Sequence, residues 1–253
     1  MSQDYPPDGA RWALPGAYDI DVAELDSPAR RGLGLLVRFH QEDGPLLARL
    51  LRIGGVTHLA TRHRAGLEAF APVGSVRTPH VGEVFLMRVP RPLPRVYVVE
   101  GAREASGRAV YDALLDPTFD PEKEVVLATG PARAARDGFA AGARLVSWRP
   151  GRLVLEAGLN RPGHLVVLEG FDRGWSARVD GQPVEPGVAN GVFLGVPLGA
   201  GQHHVELLYR PRGLVAGAAL SGLALAGGGL LLALRATRSK AAAAAPPPGD
   251  APA

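Results

Sequence analysis

The sequence predicts an α+β protein, mainly β, built as a small α/β lobe, an antiparallel β-sandwich and one C-terminal transmembrane helix. Three observations predict it. Between residues 144 and 209, short β-rich runs recur with Gly, Pro, Asn or Asp between them, which is the spacing of a sandwich or barrel. Near residue 53 a leucine-rich helical run feeds a short β-rich run, an α/β element. Residues 213–234 carry no charge and consist of Leu, Ala, Gly and Val with Ser221. About 20 such residues at 1.5 Å each cover a hydrocarbon core of about 30 Å.

Taken in order, residues 1–26 are punctuated by Pro and Gly and read as irregular. The lobe occupies 27–130. In it, Pro45 to Ile53 places Leu46, Leu47, Leu50 and Leu51 on one helical face, and Gly54-Gly55 ends the helix. Val56 to Ala60 reads as a strand. Val84 to Val89 and Arg95 to Val99 are strands separated by Pro90-Arg-Pro-Leu-Pro94, whose prolines cannot donate to a ladder. Arg108 to Leu115 suits a short helix stopped by Asp116-Pro117, and Glu124 to Ala128 a further strand. A Pro-, Ala- and Gly-rich link over 130–142 separates the lobe from the sandwich, residues 143–210.

The sandwich strands are Arg144 to Trp148, Arg152 to Ala157, His164 to Glu169, Trp175 to Val179, Val192 to Val196 and His203 to Tyr209. Asp180-Gly181 is a strong hairpin signal, because a type I′ turn needs positive φ at both central residues. The segment 213–234 follows directly. Its small residues Gly213, Gly217 and Ser221 share a helical face that lets another helix approach closely. The basic and Ala/Pro-rich tail, 235–253, is expected to be disordered.

Composition excludes several functions. The net charge is only +3, and the arginines are spread along the chain, so there is no footprint for nucleic acid. The absence of cysteine removes disulfides, thiolate nucleophiles and Cys-based zinc sites. The N-terminus has neither a basic n-region nor an apolar h-region, so no signal peptide is expected there. Three positive charges at Arg235, Arg238 and Lys240 follow the span, and Arg210 and Arg212 precede it. The positive-inside rule therefore leans slightly toward a cytoplasmic C-terminus and an extracytoplasmic globular part. A chain so oriented is expected to be the tail of a longer polytopic protein; the other arrangement is a tail-anchored protein facing the cytoplasm.

Several segments in order resemble the C-terminal region of the YfhO-like bacterial membrane proteins. They are GWSARVDG at 174–181, ANGVFLGV at 189–196, GAGQHHVE at 199–206, Tyr209-Arg-Pro211 and the terminal apolar helix. Upstream, LLRIGGVTHL at 50–59, PLPRVYVV at 92–99 and DPTFDP at 116–121 with Val125 to Leu127 extend the resemblance over roughly 30–235. The residues that carry it are Trp175, Asp180, Gly181, Asn190, Gly195, Gly201, Tyr209 and Pro211. Each also has a plain structural role as a turn residue or core aromatic. The resemblance implies many membrane spans followed by an extracytoplasmic domain and a last helix, in proteins similar to polyprenyl-phosphate-sugar glycosyltransferases of the cell envelope. The acidic catalytic residue of such enzymes lies in an early loop beside the membrane bundle. Nothing here matches that loop, so no catalytic residue is carried over and this chain alone is expected to be inactive.

His40, His58, His63, His80, His164, His203 and His204 show no metal-ligand spacing, and adjacent His203 and His204 fall on opposite faces of a strand. Glu169, Asp172 and Asp180 are the acidic residues nearest to a glycosidase-like pair, but Asp180 is better explained by its turn. No nucleophile elbow, phosphate loop or dinucleotide fingerprint is present, and no cofactor is expected. Trp148, Phe171, Trp175, Phe193 and Tyr209 are the aromatics available to hold a sugar, and each is expected to be a core or hairpin residue first. The reading is thus a non-catalytic extracytoplasmic module of a YfhO-like membrane protein, whose partners are the bilayer through 213–234 and a multi-span bundle. The alternatives are a membrane-anchored sandwich that binds envelope carbohydrate and a tail-anchored cytoplasmic scaffold.

Overall fold

A computed structural model describes residues 43–80, 82–211, 213 and 217–229. The irregular segment expected over 1–26, the first part of the lobe, the far end of the apolar segment and the tail lie outside the described residues. The chain divides into two units, Met1–Tyr209 and Arg210–Ala253.

In the first unit, helix α1 (Gly44–Ile53) starts where Asp43 accepts a hydrogen bond from the Leu46 amide (3.0 Å), with proline in its first turn. It ends at Gly54, and Gly55 follows with φ +67°. Three strands form a small antiparallel sheet: β1 (His58–Thr61), β2 (Ala71–Thr78) and β3 (Gly82–Arg88), in the order β1-β3-β2. β2 contains Pro72 and Gly74 and is absent from the sequence-based expectation. It tolerates them because it is an edge strand with a register shift between those residues.

The chain then enters the main body. β4 (Val96–Val99), β5 (Gly101–Glu104), helix α2 (Ala109–Leu115) and β6 (Glu124–Leu127) come before the link. After it come β7 (Ala141–Arg149), β8 (Arg152–Leu159), β9 (Gly163–Gly170), β10 (Trp175–Val179), β11 (Gln182–Val184), β12 (Gly187–Ala189), β13 (Phe193–Leu198) and β14 (Gly201–Tyr209). They make a five-stranded sheet, β11-β10-β14-β8-β7, and a six-stranded sheet, β4-β9-β13-β12-β6-β5. Among the described residues the only parallel pair is β5 with β6, joined through α2 as a βαβ unit. Strands from both sides of the 130–142 link therefore share one sheet: β4 pairs with β9, and β6 meets β12 at Leu127 and Ala189.

Side-chain alternation explains the layering. On β9, Leu165 and Val167 enter the core between the two large sheets, with Leu153, Leu155, Leu194, Val196, Val205 and Leu207. Val166 enters a second core on the opposite face, with Tyr97, Val99, Phe193, Val110 and Leu114 and with Leu50 and Ile53 of α1. Leu47, Ala48 and Leu51 of α1 instead join Met87 of the small sheet and the flanking Phe70 and Val89. α1 is thus apolar on two sides because it lies between two sheets, each buried leucine contributing about 1.5–3 kcal/mol.

In the second unit residues 217–229 are helical. Gly213 lies in a turn with φ +85°, outside the described helix, and its carbonyl accepts from the Gly217 amide (2.7 Å). Of the expected packing face, Gly217 and Ser221 are helical and Gly213 is not. Among the described residues no helix is long and apolar enough to cross a membrane, so the transmembrane helix expected over 213–234 is not part of the observed fold.

Candidate functional site

The structure gathers polar and aromatic groups at three places in the first unit. At the far end of β10, Asp180 and Gly181 form the expected turn with φ +53° and +80°. The Asp180 carboxylate meets His203 Nδ1 (2.7 Å) and accepts from the His204 amide (2.8 Å), while His203 Nε2 meets the Gly199 carbonyl (3.1 Å). The His203 hydrogen bond, then the His204 amide, hold the Asp180 carboxyl below the usual carboxylate range. These bonds tie two turns together. β10 separates Asp180 from Asp172, so the structure does not bring these two carboxylates to one site.

Glu100 is fully buried between β4 and β5. It accepts from the Arg136 amide (2.9 Å), from the Arg136 guanidinium (2.9 and 3.1 Å) and from Arg161 Nη2 (3.1 Å). Arg161 also lies 5.9 Å over the Phe139 ring. The Arg136 amide is the largest cause of a lowered Glu100 pKa. The ion pair pins the 130–142 link to the sheet, and nothing in the local sequence beyond one Glu in an apolar run points to it.

Both depressed carboxyls predict an acid limb. Their folded pKa values lie below the unfolded values of about 4.3 for Glu and 3.9 for Asp. The stability they contribute is present above those values and is lost as pH falls through the lower folded ones. Urea midpoints measured from pH 7 downward should therefore fall below about pH 4. Glu100→Gln should lower the midpoint at pH 7 and flatten that fall; an unchanged acid limb would remove Glu100 from the account.

The third place is the end where β14 finishes. A register shift between Leu145 and Ser147 reverses the parity of β7. Leu145 faces the core, and without the shift Trp148 would sit on the outer face; instead it lies opposite Leu153, a core residue, and turns toward the six-stranded sheet. Its Nε1 donates to Glu169 (3.4 Å), which also pairs with Arg95. The Arg95 guanidinium stands 5.4 Å over the Trp148 ring, and Trp148 remains 53% exposed. Nearby, Trp175 donates from Nε1 to the Gly170 carbonyl (3.1 Å), and its ring tilts against Tyr209 at 5.1 Å.

Of the aromatics weighed from sequence, Phe193 is core and Trp175 is half-buried, while Trp148 keeps a large exposed surface. Asn190, Gly195 and Gly201 serve turns and close strand contacts, and Pro211 follows the last strand. A cleft of about 390 Å³ beside the small sheet is lined by Thr57, His58, Arg88 and Arg91, and its histidine contacts only the adjacent Thr57 hydroxyl (3.1 Å) among the hydrogen bonds described. Among the described residues no three His, Asp or Glu side chains are placed to hold a metal.

Residues 163–221 match the family model described as Bacterial membrane protein YfhO. The match begins at β9, spans β10 to β14 and reaches the helix of the second unit, so the chain contains a YfhO-like region. No curated protein and no solved structure matches the chain.

Proposed function

We infer that this chain supplies the non-catalytic, extracytoplasmic C-terminal module of a YfhO-like integral membrane protein associated with cell-envelope polymer glycosylation. The observation that carries the reading is the family match, which runs without a break from the sandwich into the apolar segment. Residues 213–234 then form the membrane span, with the C-terminus in the cytoplasm. The described part of that helix supports a lipid environment: Leu220, Leu223 and Leu225 are 67–78% exposed, and leaving such side chains in water forfeits about 1.5–3 kcal/mol each. Gly217 and Ser221 offer a face for a helix of the multi-span bundle.

The rest of the reading follows from what the residues do. Asp180, His203, Glu100 and the arginines around them are engaged in turns and in pinning the link, so the module acts by docking over a bundle that performs the chemistry.

The chain has no cysteine, which makes topology measurable with single introduced thiols. In intact cells a membrane-impermeant maleimide should label Lys123→Cys, whose side chain is 69% exposed. Ser239→Cys should be labelled only after permeabilisation. The reverse pattern would sink the reading and favour the tail-anchored scaffold. Sugar transfer by the purified chain would overturn the non-catalytic assignment.

A further inference from the structure

We propose that the cleft beside the small sheet binds a small organic anion, a phosphate or carboxylate head on an apolar body about the size of one ring. The cleft belongs to the part of the chain before residue 130 and lies outside the matched residues 163–221, so the proposal does not rest on the membrane reading. Strand register builds its floor. Arg88 of β3 stands between His58 of β1 and Ala71 of β2, a row on the face of the sheet that turns away from Met87 and the α1 core. Ala69, Pro90 and Pro92 add an apolar wall, and the volume of about 390 Å³ is that of a small-molecule pocket.

Three donors border this apolar space. The Arg88 guanidinium is exposed and has no hydrogen-bond or ion-pair partner among the described residues. His58 Nδ1 meets the Thr57 hydroxyl (3.1 Å); with that hydroxyl donating, the proton of the neutral ring is on Nε2, free to donate to a ligand. Arg91 has φ +43°, a conformation that few residues other than glycine adopt and that a following proline, Pro92, does not favour. Arg52 holds it there, donating from Nε to the Arg91 carbonyl (2.9 Å). Backbone strain maintained in this way is concentrated at ligand clamps, and here it fixes the backbone that carries a cation at the cleft rim.

The charge balance around the cleft selects an anion. Residues 54–95 contain six arginines and two glutamates, while the whole chain carries only +3. Arg95 pairs with Glu169, and Arg52 pairs with Glu122, which also lies 3.7 Å from Arg91. With those pairs set aside, and Arg91 set against Glu122, Arg62, Arg64, Arg77 and Arg88 still face only Glu68 and Glu83. Glu68 accepts from the Gly66 amide (3.2 Å), and Glu83 accepts from the Ser75 hydroxyl (2.7 Å) at the far end of β3. Net positive charge therefore remains with both glutamates counted in full. The apolar lining adds the second requirement, because a bare inorganic ion would leave Ala71 and the prolines in contact with water.

The test titrates the full chain, in a nonionic detergent, with phenyl phosphate and with benzoate. Binding is followed by NMR through the imidazole C2–H resonance of His58, assigned by its loss in His58→Asn. At least one of the two anions should shift that resonance saturably, and the tighter one names the head group. Arg88→Gln and Arg91→Gln, both at exposed positions, should each weaken this binding about fivefold. Arg77→Gln, at the far end of the same sheet, should leave it unchanged. Ala71→Leu should fill the cleft and remove the shift. Inorganic phosphate or benzyl alcohol binding as tightly as the aryl anion overturns the proposal, since the first lacks the apolar body and the second the charge. So does an equal loss in Arg77→Gln, which would mean diffuse attraction to a basic lobe. The absence of any saturable shift overturns it as well.

Discussion

Phe193→Ala is expected to destabilise the first unit by about 4 kcal/mol, within the 3–5 kcal/mol typical of buried Phe truncations. Phe193 opens β13 and is 2% exposed, in the core between the six-stranded sheet and the helices. Alternation along β13 puts Phe193 on that helix side, while Leu194 faces the other large sheet. Removing the ring leaves a void that the closed ladders on both flanks, β9 and β12, cannot collapse to fill. Urea unfolding followed by tryptophan emission should show a lower midpoint at an unchanged slope. A loss below about 1 kcal/mol would mean that Phe193 does not fill this core. The same residue is among the aromatics weighed for sugar binding, and its burial takes it out of that role.

Much of the fold is legible because a half-buried strand carries its own period. β8 alternates Leu153, Leu155, Ala157 and Leu159 inward, and β14 does the same with Val205 and Leu207, so both strands stand out in the sequence. β5, β11 and β12 do not. Gly101-Ala-Arg-Glu104 and Gly187-Val-Ala189 are too short to show a period, and their pairing comes from distant partners. The 130–142 link shows the same limit. Its composition reads as a boundary, yet Glu100 holds it through Arg136, and Ala102 bridges to Arg133. Local composition reports flexibility of the isolated chain and carries no information about which strands meet across it.

The candidate sites divide in the same way. Asp180-Gly181 is readable as a turn because positive φ at two successive residues restricts the residue types that fit. The placement of Trp148 is not readable, because a regular strand puts Leu145 and Trp148 on opposite faces and only the bulge reverses this. The apolar segment 213–234 is legible from length and charge, while a helix is described only over 217–229, and no described helix is long and apolar enough to cross a membrane. What the resemblance adds is the order of the motifs, and the family match covers those between 163 and 221.

Asn190→Ala is the second large effect, expected at about 3 kcal/mol from two broken buried hydrogen bonds and an unfavourable backbone angle. Asn190 and Gly191 have φ +48° and +79°, the left-handed pair of a type I′ hairpin joining β12 to β13. Asn tolerates that region better than Ala does. Asn190 is also fully buried, and its contacts reach across the chain. Its Oδ1 accepts from the Val126 amide (2.9 Å), its own amide donates to the Val126 carbonyl (2.7 Å), and its Nδ2 donates to the Tyr97 hydroxyl (3.2 Å). Burial pushes the Tyr97 phenol well above its ordinary pKa, so it stays neutral. Alanine would leave the Val126 amide and the Tyr97 hydroxyl without these partners. Asn190→Gly separates the two causes: it relieves the backbone angle and keeps the lost bonds, so it should cost about 2 kcal/mol. Equal losses for Ala and Gly would assign the whole effect to hydrogen bonding. A negligible loss for both would show that the hairpin turn does not hold β4 and β6 against β13. One residue then explains why the segments before and after the link fold as one body.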